Sequence, residues 1–167
     1  CHAYERMVIY TYMYIGITTY IAESLDKIGN NIKEAKPHIM TAVPRILEKV
    51  YEKIIKTGHE LSGSKRKIFD WAVSVGEAYD PNPEKRSFAY NLKLKLAKKL
   101  VLDKWYDALG GHLVTVASGS ASLQNKLARI FLAAGIPLYE GYGMTEASPL
   151  ISVNHYIKGI RVGTVGL

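Results

Sequence analysis

The stretch "LVTVASGSASLQNKLARIFLAAGIPLYEG", Leu113 to Gly141, decides the fold. "LVTVA" is β-branched and apolar, the composition of a buried strand. "SGSAS", Ser118–Ser122, is a run of small residues that suits a turn. Leu123, Leu127, Ile130, Phe131 and Ala134 then recur at helical spacing, Gly135 closes the helix, and "IPLYEG" starts another strand. A strand, a helix and a second strand in this order form a parallel crossover unit.

Working toward the N-terminus, Lys85–Ala108, a helix that starts at Ser64 and carries Ile68, Phe69, Trp71, Ala72 and Val75, and Pro44–Gly58 each carry a helical apolar pattern. Pro44 stands at a helix start, where its missing N–H costs nothing, and "DPNP" at Asp80–Pro83 separates the second helix from the third. These three helices form an excursion off the sheet over residues 44–108. Before them, "HIMTAV", His38–Val43, reads as a strand. Ser24 is an N-cap for a helix carrying Leu25, Ile28, Ile32 and Ala35 that Pro37 ends, and Thr18–Ala22 is a short strand. Tyr4–Ile15 is a helix closed by Gly16. The expected fold is α/β, layered helix–sheet–helix, with a mainly parallel sheet and a three-helix excursion.

The chain has 167 residues, enough for one domain that buries roughly 70% of its unfolded surface. Its 48% apolar and 22% charged residues are ordinary for a globular protein. The uncharged run Met7–Ala22 falls short of the roughly 20 residues of a spanning helix and reads as a buried helix leading into a buried strand. A single cysteine, Cys1, allows no internal disulfide, and the five histidines lack zinc-site spacing. A reducing, cytoplasmic setting is expected. Net charge is +7, and 14 Lys and Arg against 8 Asp and Glu lie between Arg45 and Lys104. Solvated helix faces account for such a run; attraction of an anionic partner, membrane lipid or polyphosphate, is the sharper reading. Nucleic acid is not expected, because no basic-aromatic motif accompanies the charge.

The chemistry concentrates in two turns. Parallel strands would put "SGSAS" and the turn at Gly141–Glu146 on the same sheet edge, where open α/β sheets bind ligands. Small residues admit a base or a phosphate close to the backbone, Tyr142 offers a stacking face, and Thr145 offers a hydroxyl to a phosphate oxygen. Glu146 would face phosphates only with a bound Mg²⁺ between them; otherwise it is an ordinary loop acid. "GYGMTE" fails the dinucleotide fingerprint at Glu146. No Walker phosphate loop is present, and "SGSAS" is not a G-x-S-x-G nucleophile elbow.

"YEGYGMTEASPL", Tyr139–Leu150, resembles the Y-G-x-T-E signature of the AMP-forming acyl-CoA synthetases of the adenylate-forming superfamily. "ASGSASL" resembles their S-G-G-A-P-L stretch, "CHAYERM" the end of L-P-L-x-H-x-x-E-R, "MTAVPRILEKVYEKI" the long-chain branch, and "RVGTVGL" the later G-T-V-G stretch. The resemblance covers essentially all 167 residues. It implies ATP, Mg²⁺ and CoA, with a fatty acid as the acyl substrate. Residues Gly119, Ser120, Ala121 and Ser122 would line adenine through the backbone, with Glu140 among the nucleotide-binding residues. Gly141, Tyr142 and Gly143 would form the wall between adenine and acyl chain, Thr145 would touch the α-phosphate and Glu146 would hold Mg²⁺. His2 and the turn Ala42, Val43, Pro44 would lie along the acyl or CoA channel. Ser120 and Ser122 depart from the family pattern, which often has Gly and Pro there.

The family's phosphate loop, ribose-binding aspartate and lysine-bearing C-terminal domain do not occur in this sequence. The chain is therefore expected to be part of the large N-terminal domain of a long-chain fatty acid–CoA ligase, inactive alone, with peripheral membrane association as an added property. Ligation of aryl or short carboxylates, and a non-catalytic nucleotide or acyl-CoA binding module, are the alternatives.

Overall fold

The computed structural model describes residues 3–155 and 159–166. Four strands form one sheet in the order β1 (Ile39–Ala42), β2 (Thr115–Ser118), β3 (Leu138–Gly143) and β4 (Leu150–Val153). The pairs β1–β2 and β2–β3 are parallel, and β3–β4 is antiparallel. The crossover unit is present as β2, α7 (Asn125–Ala133) and β3. The first ladder is formed by Thr115–Ser118, two residues later than the start of "LVTVA".

Three helical stretches separate β1 from β2: α3 (Pro44–His59), α4 (Gly63–Glu77), and a run made of α5 (Phe88–Ala97), a π-turn (Lys98–Leu102) and α6 (Asp103–Ala108). Pro44 is the first residue of α3. The third stretch begins later than Lys85, because the Ser87 hydroxyl accepts the Tyr90 N–H at 3.2 Å and caps α5 there. The π-turn has a packing reason. Buried Ala97 and Leu102 are five residues apart, a step that puts them about 140° apart around an α-helix. A turn closed by i→i+5 bonds brings both inward. The core they join includes Leu47, Phe69, Val116, Ile130 and Leu138. Trp105 meets Phe131 edge-on at 6.3 Å and Tyr51 at 6.1 Å.

The N-terminal quarter departs from the expected pattern. Helix α1 (Ala3–Tyr14) forms, but none of its residues is fully buried, and Thr18–Ala22 is exposed and makes no strand. Apolar composition alone does not make a strand; a ladder partner does, and Thr18–Ala22 has none among the described residues. Farther on, the Ser24 hydroxyl accepts the Lys27 N–H at 3.4 Å, which organises a turn, and α2 (Ile28–Ala35) begins only after it. Leu25 is left outside the helix and exposed. None of the described helices is long and apolar enough to cross a membrane.

Candidate functional site

Parallel register aligns the ends of three strands. Ala42 of β1 pairs with Ser118 of β2, and Ser118 pairs with Glu140 of β3. Residues in register on neighbouring parallel strands point to the same face, so these three side chains form one row across the carboxyl edge. All three are buried. Immediately beyond the row lie the turn into α3 at Val43 and Pro44, the small-residue loop Gly119–Ser122, and the continuation of β3.

The loop is fixed from both sides. The Gly119 N–H donates to the Ala42 carbonyl at 3.4 Å, which joins the β1 turn to the β2 loop. On the other side, the Tyr4 hydroxyl of α1 donates to the Ala117 carbonyl at 3.3 Å. A Cβ at Gly119 would stand 3.3 Å from the Tyr4 ring, a tight contact that the ring would have to relieve by a few tenths of an ångström. Ser120 has φ +71°, a left-handed conformation that glycine adopts without strain. Ser120, Ala121 and Ser122 are exposed, while Gly119 is buried.

Under the loop, the electrostatics are those of a desolvated carboxyl. Burial raises the Glu140 pKa above its ordinary 4.5, and a hydrogen bond from the Leu123 N–H offsets part of the rise. Glu140 is only 9% exposed, and its carbonyl accepts the Asn154 N–H at 3.0 Å. Glu140 thus ties the end of the loop and the start of the β4 exit to one strand position. Its neighbour in the row, the Ser118 hydroxyl, is buried and has no hydrogen-bond partner among the described residues. The Asn154 side chain, also buried, donates to the Thr164 carbonyl at 2.8 Å and holds the "GTVG" segment against the sheet.

The second turn differs from its expected form. β3 does not stop at Glu140 but runs through Gly143, paired with β4, with a register shift between Tyr142 and Gly143. At about 3.3 Å per residue, this carries the chain roughly 10 Å past the buried row. A short 3₁₀ turn, Thr145–Ala147, then forms the tip of a β-hairpin. A Cβ on Gly143 would stand 1.6 Å from the Pro149 carbonyl oxygen, so the return of the chain toward β4 needs glycine at this position. Tyr142 is 48% exposed, and Thr145 and Glu146 are exposed.

The structure therefore brings together Ala42, Val43, Pro44, Gly119 and Glu140 at the sheet edge, and carries Tyr142, Thr145 and Glu146 outward on the hairpin. His2 lies outside the described residues. Among the described residues no group of three or more His, Cys, Asp or Glu could hold a metal. One carboxylate at Glu146 with the adjacent Thr145 hydroxyl fits Mg²⁺ only as a partial donor set, with phosphate and water oxygens completing the octahedron. Sequence reasoning missed Tyr4 and Asn154, and it read Ser118 as part of the turn where the structure makes it the last residue of β2. Ser118 carried a signal, a hydroxyl at the end of an otherwise apolar strand; Tyr4 and Asn154 matter through contacts that no local pattern encodes.

The sequence profile of the family described as "AMP-binding enzyme" matches residues 1–167. Over 152 residues, 87% of the chain, it is 35% identical to the long-chain-fatty-acid–CoA ligase ACSBG2 of Homo sapiens, and covers 22% of that protein. It is 26% identical over 167 residues to the long-chain-fatty-acid–CoA ligase FadD15 of Mycobacterium tuberculosis, covering 27% of it. To fatty acyl-CoA synthetase A of Dictyostelium discoideum it is 28% identical over 167 residues, covering 24%. The chain thus spans about a quarter of the length of these curated relatives.

Proposed function

Because the chain belongs to the AMP-binding enzyme family, we propose that it forms the adenine and α-phosphate side of the active site in a long-chain fatty acid–CoA ligase. The observation that carries this reading is the in-register row Ala42–Ser118–Glu140, which sets two small-residue segments on one carboxyl edge. The names of the relatives support the acyl-CoA ligase chemistry and the long-chain acyl group.

In this reading the exposed backbone of Ser120, Ala121 and Ser122 lies along adenine, above Gly119. Tyr142 stacks on the base, and Gly141, Tyr142 and Gly143 together form the wall between adenine and the acyl chain. The Ala42–Pro44 turn lines the acyl channel, and His2 belongs to the acyl or CoA side. Thr145 donates its hydroxyl to an α-phosphate oxygen, and Glu146 would hold Mg²⁺, which supplies charge stabilisation to the phosphates when bound. The whole reaction joins a carboxylate to AMP with release of pyrophosphate, and the CoA thiol then displaces AMP to give the thioester. These residues bind and orient; none of them is positioned here as a proton-transfer group. Glu140 acts from beneath the loop, holding the Leu123 end of it, rather than as a ligand of the nucleotide.

The 167-residue chain is proposed to be one part of the large N-terminal domain, with residues 44–108 as a helical excursion within it. It is expected to form no acyl-CoA by itself. A full-length ligase carrying it should convert palmitate with ATP and CoA far faster than benzoate or acetate, measured as thioester formation. Acyl-CoA production by the isolated chain would contradict the first statement, and a preference for benzoate the second.

A further inference from the structure

Helix α5 turns an apolar stripe to the solvent. Phe88 is 86% exposed, Leu92 63% and Leu96 51%, and their spacing of four residues stacks them along one side of the helix; Leu100, 41% exposed, follows in the π-turn. The orientation is fixed from behind. Leu94, Ala97 and Leu102 are buried in the core, and the Tyr90 hydroxyl donates to the Val75 carbonyl of α4 at 2.7 Å. The stripe cannot turn inward without surrendering those contacts.

Lysines are interleaved with it. Lys93, Lys95 and Lys99 are exposed and form no ion pair among the described residues. Between Lys85 and Lys104 there are seven basic residues and one acid, Asp103. Leu100 and Lys104 also line an open groove of about 1020 Å³ between α2, α3, α4 and α6, whose lining includes Lys33, Lys53 and Lys65, the acids Asp26 and Glu52, and Lys49, which lies 3.6 Å from Asp26. The basic excess noted in the sequence is therefore gathered around exposed apolar residues, and solvated helix faces alone do not explain that pairing.

We propose that the outward face of α5 is a docking surface for an anionic phospholipid bilayer. Phe88, Leu92 and Leu96 would enter the boundary between headgroups and acyl chains, and the lysines between them would meet lipid phosphates and carboxylates. The mixture of the two chemistries selects this partner over another protein. Lysine is depleted in protein–protein interfaces, and burying Lys95 and Lys99 under a protein surface would strand their charges. A headgroup layer takes the apolar stripe and the ammonium groups together.

The test is co-sedimentation of a full-length ligase carrying this chain with phosphatidylcholine vesicles and with vesicles containing about a third phosphatidylserine. Binding should be at least about tenfold tighter to the anionic vesicles and should weaken as salt rises. The triple change Lys93→Glu, Lys95→Glu, Lys99→Glu should cost at least about a hundredfold, and Phe88→Ser with Leu92→Ser about tenfold or more. These positions are exposed, so urea midpoints should stay near that of the unsubstituted ligase. Phe88→Trp gives a readout that needs no loss of binding: its emission should shift to the blue with anionic vesicles. Equal binding to both vesicle types, or an unshifted Phe88→Trp emission, would overturn the proposal. So would a change in the sedimentation coefficient of the free ligase caused by the Ser substitutions with vesicle binding intact, which would assign the stripe to contact between copies.

Discussion

The row Ala42–Ser118–Glu140 and the hairpin tip Met144–Ser148 are joined through β3, which leads from Glu140 to the tip, yet their environments are opposite. The row is buried between parallel strands, and the loop it carries is held by Ala42, Tyr4 and Glu140. The tip is exposed, reaches past the sheet, and depends on one glycine for its return path. Under the proposed function the difference separates two duties: the row would give the site its shape, and the tip would carry Thr145 and Glu146 toward the phosphates. Substitutions in the row should register as stability, and substitutions of tip side chains as chemistry.

The strongest way to break this division is at the joint between the two regions. Gly143→Ala places a methyl against the Pro149 carbonyl oxygen, a backbone atom that no rotamer change can move. The β3–β4 hairpin must shift, and stability should fall by about 3 kcal/mol or more, measured by urea denaturation. A smaller, sharper probe is Glu140. Its raised pKa means that, at pH values just above 4.5, the folded chain holds a proton that the unfolded chain has released. The contribution is fully present below the unfolded value and is lost as pH rises through the raised folded one. Glu140→Gln, which resembles the protonated group, should flatten that decline in a series of denaturation midpoints against pH. The smallest effect is expected at Ser118, whose buried hydroxyl has no partner among the described residues. Ser118→Ala should be neutral or stabilise by up to about 1 kcal/mol; a loss of 2 kcal/mol or more would mean that this hydroxyl is satisfied after all.

Local chemistry made much of this legible in advance. The β2–α7–β3 unit follows from the spacing of Leu127, Ile130 and Phe131 and from the small residues between strand and helix, and Pro44 marks its helix start directly. What failed were features decided by neighbours. Thr18–Ala22 has strand composition but no ladder partner among the described residues, and α1 has an apolar sequence but little to bury it. The extension of β3 through Gly143 was hidden because glycines read as a turn, whereas here they permit close antiparallel pairing with β4. The π-turn was invisible for a related reason: only the position of the core tells that Ala97 and Leu102 must share a side. For the site, residue types pointed to the nucleotide chemistry, while the supporting contacts of Tyr4, Glu140 and Asn154 are tertiary.

The division between row and tip is tested most directly by Glu146→Ala in a full-length ligase carrying this chain, with ATP–pyrophosphate exchange and the urea midpoint measured on the same preparation. The account predicts exchange reduced by about a hundredfold or more with the midpoint unchanged within about 0.5 kcal/mol. Unchanged exchange, or a loss that simply follows a lowered midpoint, would contradict it.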